Sequence, residues 1–122
     1  MRYLLDSVIV IDHLNAIEPA TLFLAEHGAA STVSVITRAE VLAGFDDTNA
    51  ALALELLNLF SALPITTDVA DLAARIRHAE RLKLPDAFQA ALAQHHNLTL
   101  VTRNTRDFRG VAGLDLVVPY TL

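Results

Sequence analysis

Tyr3-Leu4-Leu5-Asp6-Ser7-Val8-Ile9-Val10-Ile11-Asp12 is the stretch that decides the fold. A continuous apolar run of this length would read as one buried element, but Asp6-Ser7 cuts it after three residues. A short buried strand ending at Asp6, then a helix to about Leu14, fits the interruption. Outward from there the punctuation repeats. Glu18-Pro19 opens a second helix, with proline in the first turn where no N–H is needed, and Gly28 is expected to close it as a left-handed cap. Thr32-Val33-Ser34-Val35 is short and β-branched, so it predicts a second strand, and from about Thr37 the spacing of Val41, Leu42 and Phe45 predicts a helix ending near Gly44. Asp47-Thr48-Asn49 forms an N-cap cluster for a helix of about Ala50 to Leu63. On that helix Leu52, Leu56, Leu59 and Phe60 share one face while Leu54 and Leu57 lie off it, an excess that predicts a partner or dimer surface.

Pro64-Ile65-Thr66 reads as a turn or very short strand. Thr67 is expected to cap a helix with Val69, Leu72, Ala73 and Ile76 inward. Leu84-Pro85 breaks it, and Pro85-Asp86 starts another helix, running to about His96 with Leu84, Phe88, Ala91 and Leu92 inward. Thr99-Leu100-Val101 predicts a strand, Arg103 to Phe108 a polar loop or helical turn, and Leu116-Val117-Val118 a last strand. Strands alternating with helices imply an α/β fold, with a short, mostly parallel central sheet and helices on both faces. Ligands in such sheets bind beyond the carboxyl ends of the strands. The polar residues that follow each strand are therefore the informative ones.

Composition narrows the chemistry. The 122 residues, 53% hydrophobic and 19% charged, suit one domain spanning 1–122. With no cysteine, disulfides, thiolate zinc sites and a cysteine nucleophile are excluded. No apolar stretch approaches the roughly 20 residues that span a bilayer, and Met1-Arg2 leads straight to Asp6 without a signal-peptide pattern, so a cytoplasmic protein with no membrane partner is expected. The net charge of −5 hides an asymmetry: residues 1–74 carry ten acids and two bases, residues 75–122 four acids and seven bases. The later excess is either helix-end chemistry or a phosphate-binding stripe. The five histidines have no zinc-ligand spacing; His95 and His96 are expected to point to different sides of a helix end.

Asp6-Ser7 follows the first strand, Ser34 the second with Thr37 and Glu40 about a turn later, and Thr102, Asn104 and Asp107 follow Val101; Asp86 opens the helix leading into that strand. Each acid alone could be a helix cap or a surface residue. Together they bring carboxylates to one end of the sheet, where they repel unless a cation intervenes. A hard ion, Mg²⁺ or Mn²⁺, suits such an oxygen-only set and can bind substrate phosphate while activating water.

The segments 3–12, Ser34 to Gly44, Leu84 to Ala93 and Thr99 to Phe108 resemble the four signature segments of PIN-domain ribonucleases, in order and across essentially the whole chain. The similarity is greatest to VapC-type toxins of bacterial toxin–antitoxin pairs. The resemblance implies a PIN-like three-layer fold and a Mg²⁺- or Mn²⁺-dependent endoribonuclease that inhibits translation. Asp6, Glu40 and Asp86 match the principal acidic, metal-binding positions. Asn104 stands where many members have an acid, with Asp107 one turn further on as a possible fourth acid, which puts a second metal in question. Ser7 and Thr102 match hydroxyl positions that support the acids. Arg103, Arg106, Arg81 and Lys83 would hold RNA. The resemblance further implies a homodimer and a cognate VapB-type antitoxin, in a heterotetramer or larger assembly, with Leu54 and Leu57 facing one of these partners. Transfer, ribosomal and messenger RNA are equally compatible targets.

Two other readings use the same length and topology. A non-catalytic PIN scaffold binding RNA or protein would tolerate Asn104. A phosphoacceptor receiver domain would need an acceptor aspartate at a strand end and a lysine near the last strands; Asp46 and Asp47 follow a helix end, and Lys83 is the only lysine.

Overall fold

β1 (Tyr3–Leu5) is only three residues long, yet it serves both halves of the core. Side chains alternate across a strand, so Leu4 enters one apolar cluster with Val69, Ala73, Ala90, Leu92 and Phe108, while Tyr3 and Leu5 enter another with Ile9, Val10, Val33, Val41 and Leu57. A strand covered on both faces must be apolar throughout, which is why this segment shows no alternation.

The computed structural model describes residues 1–122. After β1 come α1 (Ser7–Leu14), α2 (Glu18–His27), a 3₁₀ turn (Gly28–Ala30), β2 (Ser31–Ser34), α3 (Val35–Ala43), α4 (Asp47–Leu57) and β3 (Ala62–Leu63). The chain continues with α5 (Thr67–Glu80), α6 (Leu84–His95), β4 (Thr99–Val101), α7 (Thr105–Phe108) and β5 (Leu116–Val117). The strands form one sheet in the order β3-β2-β1-β4-β5, and every pairing is parallel. Helices α5 and α6 cover one face, and α1, α3 and α4 the other. The expected three-layer α/β arrangement is present. Strand order reverses between β1 and β4, so their carboxyl ends open a crevice at that switch point.

Several local expectations are corrected. Gly28 is right-handed (φ −58°) and starts the 3₁₀ turn; the left-handed residues are Ala16, Arg81, Asn97 and Gly113. Helix α3 begins at Val35, because Ser34 caps it by accepting from the Thr37 N–H at 2.9 Å. Asp46 and Thr66, rather than their neighbours, cap α4 and α5.

The largest difference concerns α4, which stops at Leu57, after which Ala62–Leu63 pairs with β2. Helical spacing through Phe60 therefore misassigned the faces. Leu57 and Ala53 are fully buried, whereas Leu52 and Leu59 are exposed; Leu57 faces neither a dimer partner nor an antitoxin. Leu84, expected inward, is exposed. The His95 and His96 rings, expected apart, meet edge to face at 4.9 Å.

Candidate functional site at the switch point

Asp6 leaves β1 at the crevice with only 7% of its surface exposed. Its backbone N–H is held by Val101 of β4, and its carboxylate caps α1 by accepting from the Ser7 N–H at 2.8 Å. Asp6 is thus a helix cap, as an isolated acid after a strand could be. That role leaves most of the group's contacts unexplained. Oδ2 accepts a 2.7 Å bond from the fully buried Thr102 hydroxyl, just beyond β4, and Oδ1 lies 3.4 Å from Gln89 Nε2 on α6.

Beneath the acids lies a polar layer joining α3 to α6. Gln89 Nε2 donates to Thr37 Oγ1 at 2.6 Å, and the Thr37 hydroxyl donates to the Leu5 carbonyl at 3.3 Å. Gln89 Oε1 is buried with no partner. Residues three apart share a helix face, so Glu40 sits one turn along α3 from Thr37, and Asp86 one turn before Gln89 on α6. The hydrogen-bonded Thr37–Gln89 pair sets the spacing of the two helices, and the acids occupy the adjoining turns.

The electrostatics show how close the acids stand. Burial, then Asp6, Asp107 and Glu40 in that order, push the Asp86 carboxyl up to about 6, against a smaller opposite pull from Lys83. Glu40 is also raised, by burial and then by Asp6, with the Ser7 hydroxyl pulling it back. Asp6, Glu40 and Asp107 are therefore all within electrostatic reach of Asp86, and Asp6 of Glu40. No three acidic or histidine side chains converge on a single point tightly enough to cage an ion. The oxygen-only donor set, its excess negative charge and the orphaned Gln89 carbonyl oxygen fit a hydrated divalent ion, since Mg²⁺ commonly uses one or two carboxylates and keeps several waters.

The remaining site candidates fall in three places. Asn104, exposed before α7, donates from its backbone N–H to the Thr102 hydroxyl at 3.0 Å and from Nδ2 to Asp107 at 2.7 Å, so amide and acid form one unit. Arg81, Lys83 and Arg106 are exposed around the rim. Arg103 is engaged elsewhere. Its Nε and Nη2 donate to Asp12 on α1 at 2.7 and 3.1 Å, and the Tyr120 hydroxyl donates to the same carboxylate at 2.9 Å. Burial alone would raise Asp12, but the Arg103 and Tyr120 hydrogen bonds and the Arg103 charge outweigh it and hold the carboxyl below its usual range. The Tyr120 phenol is raised by burial and by its bond to Asp12.

Sequence reasoning did not single out Gln89, Asp12 or Tyr120. Gln89 carried one usable signal, a polar residue three positions from Asp86 on an otherwise apolar helix face.

A doubly wound parallel sheet with an acidic cluster at its switch point is the class that fold and site define. Residues 3–114 match the PIN domain family, and the chain belongs to it. A chain of a toxin–antitoxin complex from Klebsiella pneumoniae is 35% identical, with 98% of this chain and 99% of that one covered and a TM-score of 0.89. A chain of FitAcB from Neisseria gonorrhoeae is 27% identical, with 98% and 99% covered and a TM-score of 0.82. At 20% identity, a chain of DNA-bound VapBC from Salmonella typhimurium shares the fold, with 98% and 99% covered and a TM-score of 0.87. Comparison with the curated proteins finds no match.

Proposed function

We propose that the chain is the toxin of a toxin–antitoxin pair and acts as a Mg²⁺- or Mn²⁺-dependent endoribonuclease in the cytoplasm. The observation that carries this reading is the gathering of Asp6, Glu40 and Asp86 at the switch-point crevice, where Asp6 helps to raise the proton affinity of both Glu40 and Asp86, and Glu40 that of Asp86. Family membership and the 35% identical chain from a toxin–antitoxin complex support it. No single helix is long and apolar enough to cross a membrane.

Asp6 and Asp86 would hold the ion, with Glu40 directly or through water. Such an ion, when bound, polarises a phosphodiester and lowers the pKa of water. The protein's own part is orientation. Thr102 holds one Asp6 oxygen, and the Ser7 N–H, with Gln89 further off, holds the other, which fixes the orientation of the carboxylate. Ser7 restrains Glu40, and the Asn104–Asp107 unit supplies oxygen acceptors at the far rim. Asp86, with its proton affinity raised, is the acid best placed to exchange a proton near neutral pH when metal is absent.

A VapB-type antitoxin and a second copy of the chain are the proposed partners, in a heterotetramer or larger assembly. Exposed Leu59 borders a groove of about 440 Å³ that also includes Leu24, Leu56 and Phe60, and exposed Leu52 lines a second groove that shares Leu56 and Leu59, the kind of apolar surface a partner covers. The non-catalytic scaffold reading draws support from Asn104 and from the lack of three converging acids. The receiver reading has none, because Asp46 caps α4 through Asn49 instead of ending a strand.

The test is RNA cleavage by the purified chain with Mg²⁺, alongside Asp86→Asn and Asp6→Ala, with mapping of the new RNA ends. Cleavage that persists in either variant defeats the assignment. Metal binding that is lost in Asp86→Asn, without cleavage by the unsubstituted chain, selects the scaffold.

A further inference from the structure

Thr102 and Arg103 are neighbours in sequence, and they reach opposite ends of α1. Thr102 donates to Asp6, which caps the start of that helix, while Arg103 donates from Nε and Nη2 to the two oxygens of Asp12 near its end, at 2.7 and 3.1 Å. Six residues at 1.5 Å each place the two points of attachment about 9 Å apart along the axis. A single hydrogen bond leaves a loop free to pivot about it. A second one, made to the same rigid helix, removes that freedom.

The segment between β4 and the core side of α7 has few other restraints. Thr102 and Phe108 are fully buried and pin its ends. Between them Asn104, Arg106 and Asp107 are exposed, and the bonds of Asn104 to Thr102 and Asp107, like that of the Thr105 N–H to the Arg103 carbonyl, stay within the segment. The two Arg103 bonds are the only side-chain hydrogen bonds that join residues 103–107 to another element. Neutralising Asp12 requires a cation there, but an ammonium would do that without orientation. A guanidinium fork on a carboxylate is planar and fixes direction as well as charge.

We propose that Arg103 is a positioning residue for the acidic crevice: its fork on Asp12 fixes the loop after β4, so that the Thr102 hydroxyl stays on Asp6. Arg103 then acts on a bound divalent ion through Thr102, touching neither the ion nor RNA. The inference rests on the metal-site reading for its consequence, and the clamp itself can be measured without metal.

The experiment combines amide exchange of the metal-free full chain, followed by NMR, with calorimetric titration of Mn²⁺. Arg103→Lys keeps the charge and loses the fork. Exchange of the Asn104 N–H, which is bonded to Thr102, should quicken roughly fivefold or more. The Mn²⁺ dissociation constant should rise about three- to tenfold, at or below the lower edge of what loss of a ligand's direct supporting contact causes. Asp12→Asn, which leaves one oxygen to accept from Arg103, should change both in the same direction and serves if Arg103→Lys does not fold. In a Thr102→Val background Arg103→Lys should alter the constant by less than about twofold, because the route to Asp6 is already cut. Tyr120→Phe is the control: it takes a donor from Asp12 but spares the fork, so it should lower melting and leave exchange and Mn²⁺ affinity unchanged. An effect of Tyr120→Phe on Mn²⁺ affinity equal to that of Arg103→Lys overturns the proposal, because stability alone would then explain it. So does an undiminished effect of Arg103→Lys in the Thr102→Val background, or unchanged exchange and Mn²⁺ affinity in Arg103→Lys, including the case where only RNA affinity falls. If the unsubstituted chain binds no Mn²⁺, the metal-site reading fails, and the exchange measurement alone decides the clamp.

Discussion

Helix α1 carries two aspartates at its two ends, Asp6 and Asp12, each 7% exposed, and their surroundings are opposite. Asp12 meets a guanidinium and a phenol, both donating to it, and its charge is neutralised within the protein. Asp6 meets a hydroxyl, an amide and a backbone N–H, and its charged neighbours, Glu40 and Asp86, have the same sign. Burial and residue type are the same, so neither identifies a functional acid. What separates the two is whether the positive charge comes from the chain or has to come from solution.

Substitutions can break that contrast from either side. The largest effect is expected at the open end, where Asp86→Asn should lower RNA cleavage by more than about 100-fold in initial-rate assays with Mg²⁺ and leave the fold intact. At the closed end, Asp12→Ala leaves Arg103 without its partner. Breaking a buried pair costs about 3–5 kcal/mol, and because the Arg103 side chain is 31% exposed we expect about 2 kcal/mol, read as a fall in melting temperature of roughly 6–10 °C. Thr102→Val keeps the shape and removes the donor to Asp6. It should reduce metal affinity or cleavage by roughly 10-fold or more, as losing a ligand's supporting contact does, with little change in melting. Tyr120→Phe should cost about 1 kcal/mol and leave cleavage untouched.

The smallest effect, in pH, has opposite signs at the two ends. The folded-state carboxyl of Asp86 sits at about 6 against an ordinary 3.8, so between those values the folded chain holds more protons than the unfolded one. Without metal, its contribution to stability is present at low pH and is lost as pH rises through about 6. Asp12 is lowered, so its contribution is present above the ordinary carboxylate value and is lost as pH falls through its depressed one. Metal-free melting curves should show Asp86→Asn raising the melting temperature at pH 7.5 and losing that advantage near pH 4. An advantage that is independent of pH would contradict the mutual repulsion of the acids.

Much of this architecture was legible from the chain alone, because strand ends carry their own punctuation. Asp6-Ser7 and Thr102 mark the carboxyl ends of β1 and β4, and Pro85-Asp86 marks the start of α6. The three-layer fold and the placing of Asp6 and Asp86 within electrostatic reach of each other follow from those markers. What was not legible depends on partners distant in sequence or on spacing without directional information. Leucine at helical intervals from Leu52 to Phe60 cannot say which face a helix buries or where it stops, and β3 was hidden behind it. Arg103, beside the acidic segment, read as a cation for RNA; its partner Asp12 is 91 positions away and no local signal links them. Gln89 looked like one polar residue on a core helix until its contacts to Asp6 and Thr37 gave it a place.

The pairing of β1 with β4 also has a consequence in time. Tyr3 lies opposite Thr99, and the bond that orients Asp6 reaches across 96 positions to Thr102. Contacts of such separation form late and slowly, because the intervening chain must be ordered first. At about 5–20 residues per second, a ribosome needs several seconds to make the segment between them. During synthesis, then, Asp6 exists as an unoriented carboxylate on a nascent chain, and the acidic crevice is assembled only after Thr102 has emerged.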